Sequence, residues 1–235
     1  LLVQSKTELA EVYRDLASLY ESQQRLEESL VCRDLWLDHP SEDETELLRQ
    51  AEAAEHLGRK HTAATLFEVL LERGPKLQSS RIAVLRQLML QECFLEARSH
   101  IESWFGQTCD SEVLELLSIC AVELKESELA CRLAQSSLQE RSSAVAHAVL
   151  AAALQCKFRE REAYDHLKTS ITLCSDPQSL PWPVARLLAG VCFDQNRLEM
   201  AEELLQKARL DQPASGQLLE QWGELQLVCG NWTNG

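Results

Sequence analysis

The sequence repeats a pattern of small and apolar residues about every 34 residues, and this period constrains the fold more than any other feature. In each copy, a short turn precedes a small residue that opens an apolar-striped helix. The small residues that mark the successive copies, called the markers below, are Ser29, Ala63, Ala97, Ala130, Ala163, Ala201 and Gly235. Their successive separations are 34, 34, 33, 33, 38 and 34 residues, a regularity that chance does not produce.

Two other slots keep the same register. Twelve residues before the markers stand mostly small residues, namely Ala17, Ala51, Leu85, Ser118, Ala151, Ala189 and Gly223. Four residues after the first six markers stand Arg33, Phe67, Ile101, Ala134, Leu167 and Leu205. Because offsets of three, four and seven residues share one helical face, each copy is predicted to contain two packed helices. Pro40, Pro75 and Pro213 mark three of the exits that follow the second helix.

A helix–turn–helix unit with this period and these slots resembles the tetratricopeptide repeat (TPR). The best copies are LGRKHTAATLFEVLLERGP and QNRLEMAEELLQKARLDQP, and the resemblance covers nearly the whole chain. It implies an all-α fold, an α-α superhelix of antiparallel helix pairs, in place of the alternative of a plain helical bundle. We predict a single array over residues 1–235, with repeats at about 10–43, 44–77, 78–110, 111–143, 144–181 and 182–215 and a partial repeat at 216–235.

Individual copies depart from the TPR pattern. Gln50 and Arg33 occupy slots that are normally apolar, and Ser137 and Ser170 stand where alanine is usual. The segment SDPQSLPWP (175–183) predicts a longer exit after the fifth repeat, and its Trp182 either fills the space between adjacent helix pairs or forms an exposed contact.

The last predicted first helix, GQLLEQWGELQLV, is expected to pack on the sixth repeat. Its second helix is missing, so we expect Leu219, Trp222 and Leu225 to stay exposed as an apolar face. This face predicts self-association.

Charge and cysteine content argue against several classes of partner and site. The net charge of −14 disfavours nucleic acid and anionic membranes, which require clustered Lys and Arg. The nine cysteines are spread without CxxC pairs, which is typical of reduced thiols packed as small apolar residues and favours a cytoplasmic over a periplasmic location. No signal peptide is visible, and the start without Met suggests a fragment of a longer protein.

The sequence predicts no catalytic, cofactor or metal site within this chain. None of the six histidines forms HExxH, and the chain contains no GxGxxG, GxxxxGK[ST] or GxSxG motif. His147 falls at a slot of a first helix that normally packs, so we interpret it as structural. Paired acids such as Glu202 and Glu203 are adjacent in sequence and diverge on a helix.

In TPR proteins the first helices line a concave groove, so the resemblance places the candidate partner-binding residues there. These are Glu52, Glu55, Ile82, Arg86, Met89, Glu112, Glu115, Ile119, Val122, Arg186 and Phe193. Arg14 and Ser18 occupy the same slots in the first repeat, and Glu123 adds to the acidic group. The mixture of acidic and apolar side chains predicts an interaction scaffold for a protein or peptide with basic and apolar side chains. The asparagines Asn196, Asn231 and Asn234 lie outside these slots, which argues against a carboxylate clamp or an asparagine ladder.

The segment ELQLVCGNWTNG also resembles the last repeat of bacterial TPR proteins in which a GxWxxGW-type segment leads towards a catalytic domain. Gly230, Trp232 and Gly235 carry this resemblance. It implies an alternative function, as the non-catalytic arm of a glycosyltransferase- or sulfotransferase-like enzyme that positions a polypeptide substrate. A periplasmic secretion or polysaccharide-export scaffold is a third hypothesis, against which the cysteine count argues.

Overall fold

The computed structural model describes residues 2–106, 110–174, 180–211 and 215–229, and these residues form helices joined by short connections without any strand. The helices are α1 (Leu2–Ser22), α2 (Leu26–Leu37), α3 (Glu44–His56), α4 (Lys60–Arg73), α5 (Gln78–Leu90), α6 (Phe94–Phe105), α7 (Ser111–Glu123), α8 (Ser127–Glu140), α9 (Ala144–Cys156), α10 (Glu160–Leu173), α11 (Trp182–Asp194), α12 (Leu198–Asp211) and α13 (Gly216–Val228). The predicted all-α class is confirmed.

The chain divides into two compact units between Gln87 and Leu88, within α5. In the first unit, α1 packs with α2 and α3 packs with α4. In the second unit, each odd-numbered helix from α7 to α11 packs with the helix that follows it. Consecutive first helices of this unit also contact one another, from α7 to α9, from α9 to α11 and from α11 to α13. Whether residues 1–235 form one array therefore stays a prediction.

The turn inside each helix pair has one backbone conformation, which ends the first helix and starts the second. The residue five positions before each of the first six markers has a positive φ; these residues are Gln24, Gly58, Glu92, Lys125, Phe158 and Asn196. The following backbone N–H donates back to the carbonyl five residues earlier, as Arg25 N does to Tyr20 O at 2.9 Å and Arg197 N to Cys192 O at 2.8 Å. This is the Schellman motif, which satisfies carbonyls that a helix C-terminus leaves unpaired.

Side-chain caps begin four of the first helices. The side chains of Asp43, Asp110, Ser143 and Ser215 each accept a hydrogen bond from a backbone N–H in the first turn of α3, α7, α9 and α13. The distance is 2.9 Å for both aspartates. These caps position the first helices and stabilise each by about 1 kcal/mol.

The core of each unit contains the markers and the residues twelve positions before them. The markers from Ser29 to Ala201 are at most 2% exposed, and the residues twelve positions earlier, from Ala17 to Ala189, are at most 4% exposed. Small side chains are required there because the two helices of a pair approach closely. Trp182 is 1% exposed, so it packs and does not form an exposed contact. Residues 175–179 of the predicted long exit lie outside the described residues.

Two polar departures from the TPR pattern have a physical reason in the first unit. Gln50 is fully buried, and its Nε2 donates to the carbonyls of Trp36 at 2.6 Å and His39 at 2.9 Å. Its Oε1 accepts a hydrogen bond from Ser41 N at 2.9 Å. A single side chain therefore satisfies three backbone polar groups at the end of α2 and in the connection that follows it. Arg33 is half-exposed and pairs with Glu21.

The serine departures in the second unit are explained in the same way. Ser170 Oγ donates to the carbonyl of Ala144 at 2.7 Å, and Ser137 Oγ donates to that of Ser111 at 3.3 Å. Both acceptors are the first residue of the preceding first helix. Each serine therefore ties a second helix to the first helix of its own pair.

Candidate functional site

The predicted groove residues of the first unit fall into two environments. Glu52 and Glu55 are exposed on α3, and neither carboxylate has a hydrogen bond or an ion pair with the described residues. Arg86 is also exposed, on α5. Ile82 is only 8% exposed and belongs to the core. The two glutamates are therefore the predicted residues that are most available to a partner.

Most of the predicted groove residues on α5 and α7 of the second unit are buried. Met89, Ile119 and Val122 are at most 6% exposed, which favours packing over contact with a partner. Glu115 is 8% exposed; it accepts a hydrogen bond from Ser137 at 3.4 Å and lies 3.6 Å from Arg141. Glu112, the remaining predicted groove residue on α7, is partly exposed. A role of these residues in partner binding stays a prediction.

A buried ion pair joins two residues that the sequence placed on the predicted groove. Arg186 of α11 donates from Nη2 to Oε1 of Glu123 at the end of α7, and the two side chains are only 8% and 3% exposed. Burial raises the pKa of Glu123, and the Arg186 guanidinium opposes that shift. Because α9 lies in contact with both helices, the pair ties three consecutive first helices together. Arg186, in the sixth repeat, is therefore committed to a residue of the fourth repeat.

The helix between the two charged residues carries small side chains. Ala148 and Ala152 are at most 6% exposed and lie on the same face of α9, one turn apart. A further contact across the unit joins Ser215 Oγ to a carboxylate oxygen of Glu92. Phe193, on the last turn of α11, keeps partial exposure.

A crevice of about 370 Å³ opens in the first unit between α1, α2 and α3. Its lining includes Arg14, Ser18, Arg33, Trp36, Ala53 and His56. Sequence reasoning placed Arg14 and Ser18 on the groove but did not predict the crevice. The available signal was Arg33, a charged residue at an apolar slot, which leaves the space beside α3 incompletely filled.

A pair of histidines connects two helices of the second unit. Nδ1 of His147 lies 2.8 Å from Nδ1 of His166, and the two rings are tilted by 32°. Burial lowers the pKa of both histidines, and His166 lowers that of His147 further. The pair links α9 to α10, which agrees with the structural interpretation of His147. No cluster of three or more metal-ligating side chains occurs among the described residues.

Four of the described cysteine thiols are poorly suited to act as nucleophiles, because nucleophilic attack requires the thiolate. Burial raises the pKa of Cys120 and of Cys192 to about 12. It also raises the pKa values of Cys93 and Cys131. Cys109 lies outside the described residues.

The last described helix contradicts part of the predicted exposed face. Leu225 is fully buried against the preceding helices, so the expectation that it stays exposed was wrong. Trp222 is partly covered by the Arg209 guanidinium, which lies 4.6 Å from the ring centroid. Leu219 is 48% exposed, and Leu227 and Val228 add 53% and 57% exposed side chains to α13.

One feature of the sequence lies beyond the described helices. Gly230, Trp232 and Gly235, which carry the second resemblance, lie outside the described residues. Among the helices that are described, none has the length and apolar character needed to cross a membrane.

No protein-family model matches this chain, and no curated protein matches it in sequence. Solved structures do match. A TPR protein of Thermus thermophilus has a TM-score of 0.56 at 20% identity, over 79% of this chain and 100% of that chain. A TPR protein of Parabacteroides merdae has a TM-score of 0.61 at 14% identity, over 93% of this chain and 84% of that one.

A third similar structure is a chain of the APC/C hetero-tetramer Cut9-Hcn1, with a TM-score of 0.55 at 15% identity over 94% of this chain and 46% of that chain. At these identities the likeness establishes the fold and leaves the activity open. The repeated helix pairs, the fixed turn conformation and these matches lead to one conclusion: the chain has the fold of the tetratricopeptide-repeat proteins.

Proposed function

We propose that the chain is a protein-interaction scaffold whose partner contacts the exposed face of α3. The observation that carries the proposal is the state of Glu52 and Glu55. Both carboxylates are exposed, lie about one turn apart on a first helix, and have no ion pair or hydrogen bond with the described residues. Because these carboxylates are not neutralised by a neighbouring cation, they can form ion pairs with Lys or Arg side chains of a basic partner.

The rigidity of this face supports the proposal. The helix that carries both glutamates begins at the Asp43 cap and is held by Gln50 against the preceding exit. Glu46 of the same helix is only 4% exposed, and it accepts hydrogen bonds from Arg14 at 2.8 Å and from the Trp36 indole at 3.1 Å. A face held in this way loses little conformational entropy when a partner binds.

The fold of the similar structures also supports protein binding. One of them is part of the Cut9-Hcn1 hetero-tetramer, in which a chain with this fold is assembled with other protein chains. From this likeness we take only that the fold accommodates protein partners. A basic and apolar partner, a cytoplasmic location and self-association through α13 remain proposals drawn from the sequence.

The test is a charge reversal on the first helix with a matched control on the second. We expect Glu52→Lys combined with Glu55→Lys to weaken binding of an affinity-captured, purified partner by at least tenfold, because two attractive contacts become repulsive. The control is Glu68→Lys with Glu72→Lys on α4. These glutamates are also exposed, and neither is paired with the described residues. Equal affinity of both variants and the unaltered chain would exclude this face. Glu115 is unsuitable, since it is buried and hydrogen-bonded.

A further inference from the structure

Phe158 combines a left-handed backbone, which the turn requires, with an exposed aromatic ring, which it does not. It lies in the turn between α9 and α10 with φ at 58°, and its side chain is 90% exposed. A positive φ is strained for a bulky residue with a Cβ atom, and an aromatic ring in water forgoes the free energy of burial. The exposed aromatic ring, and not the φ angle, points to a role outside the packing of the chain.

The corresponding slots of the other repeats show that the turn itself does not need an aromatic residue. They hold Gln24, Gly58, Glu92, Lys125 and Asn196, which are glycine or polar. The fold therefore requires a left-handed backbone at this slot and leaves the side chain to other constraints. Within the second unit, Phe158 and Asn196 occupy the same slot in successive repeats and so lie on the same edge.

A cavity of about 390 Å³ lies at the next turn of this edge. Its lining includes Asn196, Arg197, Leu198, Glu199 and Met200, which combine apolar side chains with a carboxylate and with a guanidinium that donates to the Tyr164 hydroxyl at 2.6 Å. The cavity is open to solvent on one side, so a side chain from another molecule can enter it. A protruding ring at one turn and a cavity at the neighbouring turn are the two halves of a self-complementary contact.

The charges beside the ring and beside the cavity are complementary. Arg161, on the first turn of α10, is exposed and has no ion pair with the described residues. The same holds for Glu199, on the first turn of α12. We propose that two copies of the chain associate edge to edge about a twofold axis. Phe158 of each copy enters the cavity beside Asn196 of the other, and each Arg161 faces a Glu199.

A twofold axis between the fifth and sixth turns places both Phe158 rings in the cavities of the opposite copies. This follows because an isologous interface uses the same patch on both copies. The area at a turn edge is small, so the dimer is weak and reversible. Both copies also carry a net charge of −14, which opposes close approach. Association is therefore measured at fixed ionic strength and over a range of concentrations.

The first experiment is sedimentation velocity on the whole chain and on Phe158→Gly. We expect the variant to raise the dissociation constant of the dimer at least tenfold, the effect of removing one buried large apolar side chain. At the same time we expect its melting temperature to rise, because glycine relieves the backbone strain. Weaker association together with a higher melting temperature distinguishes a residue of the interface from one that stabilises the fold. The control is Gln24→Gly, at the same slot of the first repeat, which should raise the melting temperature and leave association unchanged.

The second experiment is a charge swap. Arg161→Glu and Glu199→Arg should each weaken the dimer at least fivefold, whereas the double variant should restore it to within twofold, as expected for two charges that meet across the interface. A strictly monomeric chain at all concentrations would overturn the proposal. So would a dimer that Phe158→Gly leaves intact and Leu219→Ser on α13 disrupts, because self-association would then use the exposed face of α13.

Discussion

The left-handed slot in the helix-pair turns makes a quantitative prediction about stability. Substitution of glycine at this slot should stabilise the chain wherever the present side chain makes no contact. Gln24, Lys125 and Phe158 meet this condition, since each is exposed and contributes no side-chain hydrogen bond with the described residues. Asn196 tolerates the left-handed region well, so little gain is expected there.

The magnitude follows from two opposing terms. A residue with a Cβ atom loses about 1–2 kcal/mol in the left-handed region. Glycine loses about 0.4–1 kcal/mol through the larger entropy of its unfolded chain. We therefore expect each substitution to raise the free energy of unfolding by about 0.5–1 kcal/mol. The sites lie in different turns, so their effects should add.

Gly58 provides the reverse experiment. Its φ is 71°, and a Cβ atom built at this position meets no atom within 4 Å. Gly58→Ala therefore introduces backbone strain without a steric clash, and we expect a loss of about 1 kcal/mol. Glu92→Gly should gain less than Lys125→Gly, because the Glu92 carboxylate also accepts a hydrogen bond from Ser215.

The assay is urea denaturation followed by far-ultraviolet circular dichroism, with melting temperatures as a second measure. The midpoint should rise for Gln24→Gly, Lys125→Gly and Phe158→Gly and fall for Gly58→Ala, with an unchanged dependence on urea concentration. The reasoning is refuted if the three glycine variants lose about 1 kcal/mol, the effect of glycine inside a helix, or if Gly58→Ala is neutral.

Three further predictions concern buried polar groups. Glu123→Gln should lower the free energy of unfolding by about 3–5 kcal/mol, because it leaves the Arg186 charge buried without its counter-ion. In the same urea titration, Glu123→Leu with Arg186→Met should recover most of that loss. Equal losses in both variants would contradict this account. The pKa values of His147 and His166 are lowered in the folded chain, so the unfolded chain binds more protons as the pH falls through about 6.5. Stability should therefore decrease between about pH 7.5 and pH 5.5 in pH-dependent melting, and less steeply in His147→Gln with His166→Gln; parallel curves would argue against the pair. Gln50→Leu should cost about 2–3 kcal/mol by calorimetry, because it leaves buried backbone groups unpaired, and a neutral result would show that water replaces the amide.

The sequence predicted the helix pairs well because close approach of two helices admits few residue types. The described second helices begin three residues before each marker, and the first helices from α3 onwards begin nineteen residues before it. The spacing of small residues therefore located the turns and helix starts. The left-handed slot was not predicted, because Gln, Glu, Lys and Phe at four of its six positions carry no turn signal.

The candidate site was predicted less completely than the fold. The position of a residue within the repeat identifies the face of the helix on which it lies. It does not show how closely the next helix approaches that face. Glu52 and Glu55 are exposed as expected, whereas Arg186 is buried in an ion pair with Glu123. The crevice beside Trp36 depends on how α2 and α3 pack, and no local pattern encodes that.

The most direct test of the account is side-chain footprinting by hydroxyl radicals on the complex with a purified partner. Two exposed histidines provide the comparison, since His56 ends α3 near Glu52 and Glu55, and His61 lies on α4. The account predicts that the partner reduces oxidation of His56 severalfold and leaves His61 unchanged. Protection of His61 with full oxidation of His56 would contradict the claim that the exposed face of α3 is the binding surface.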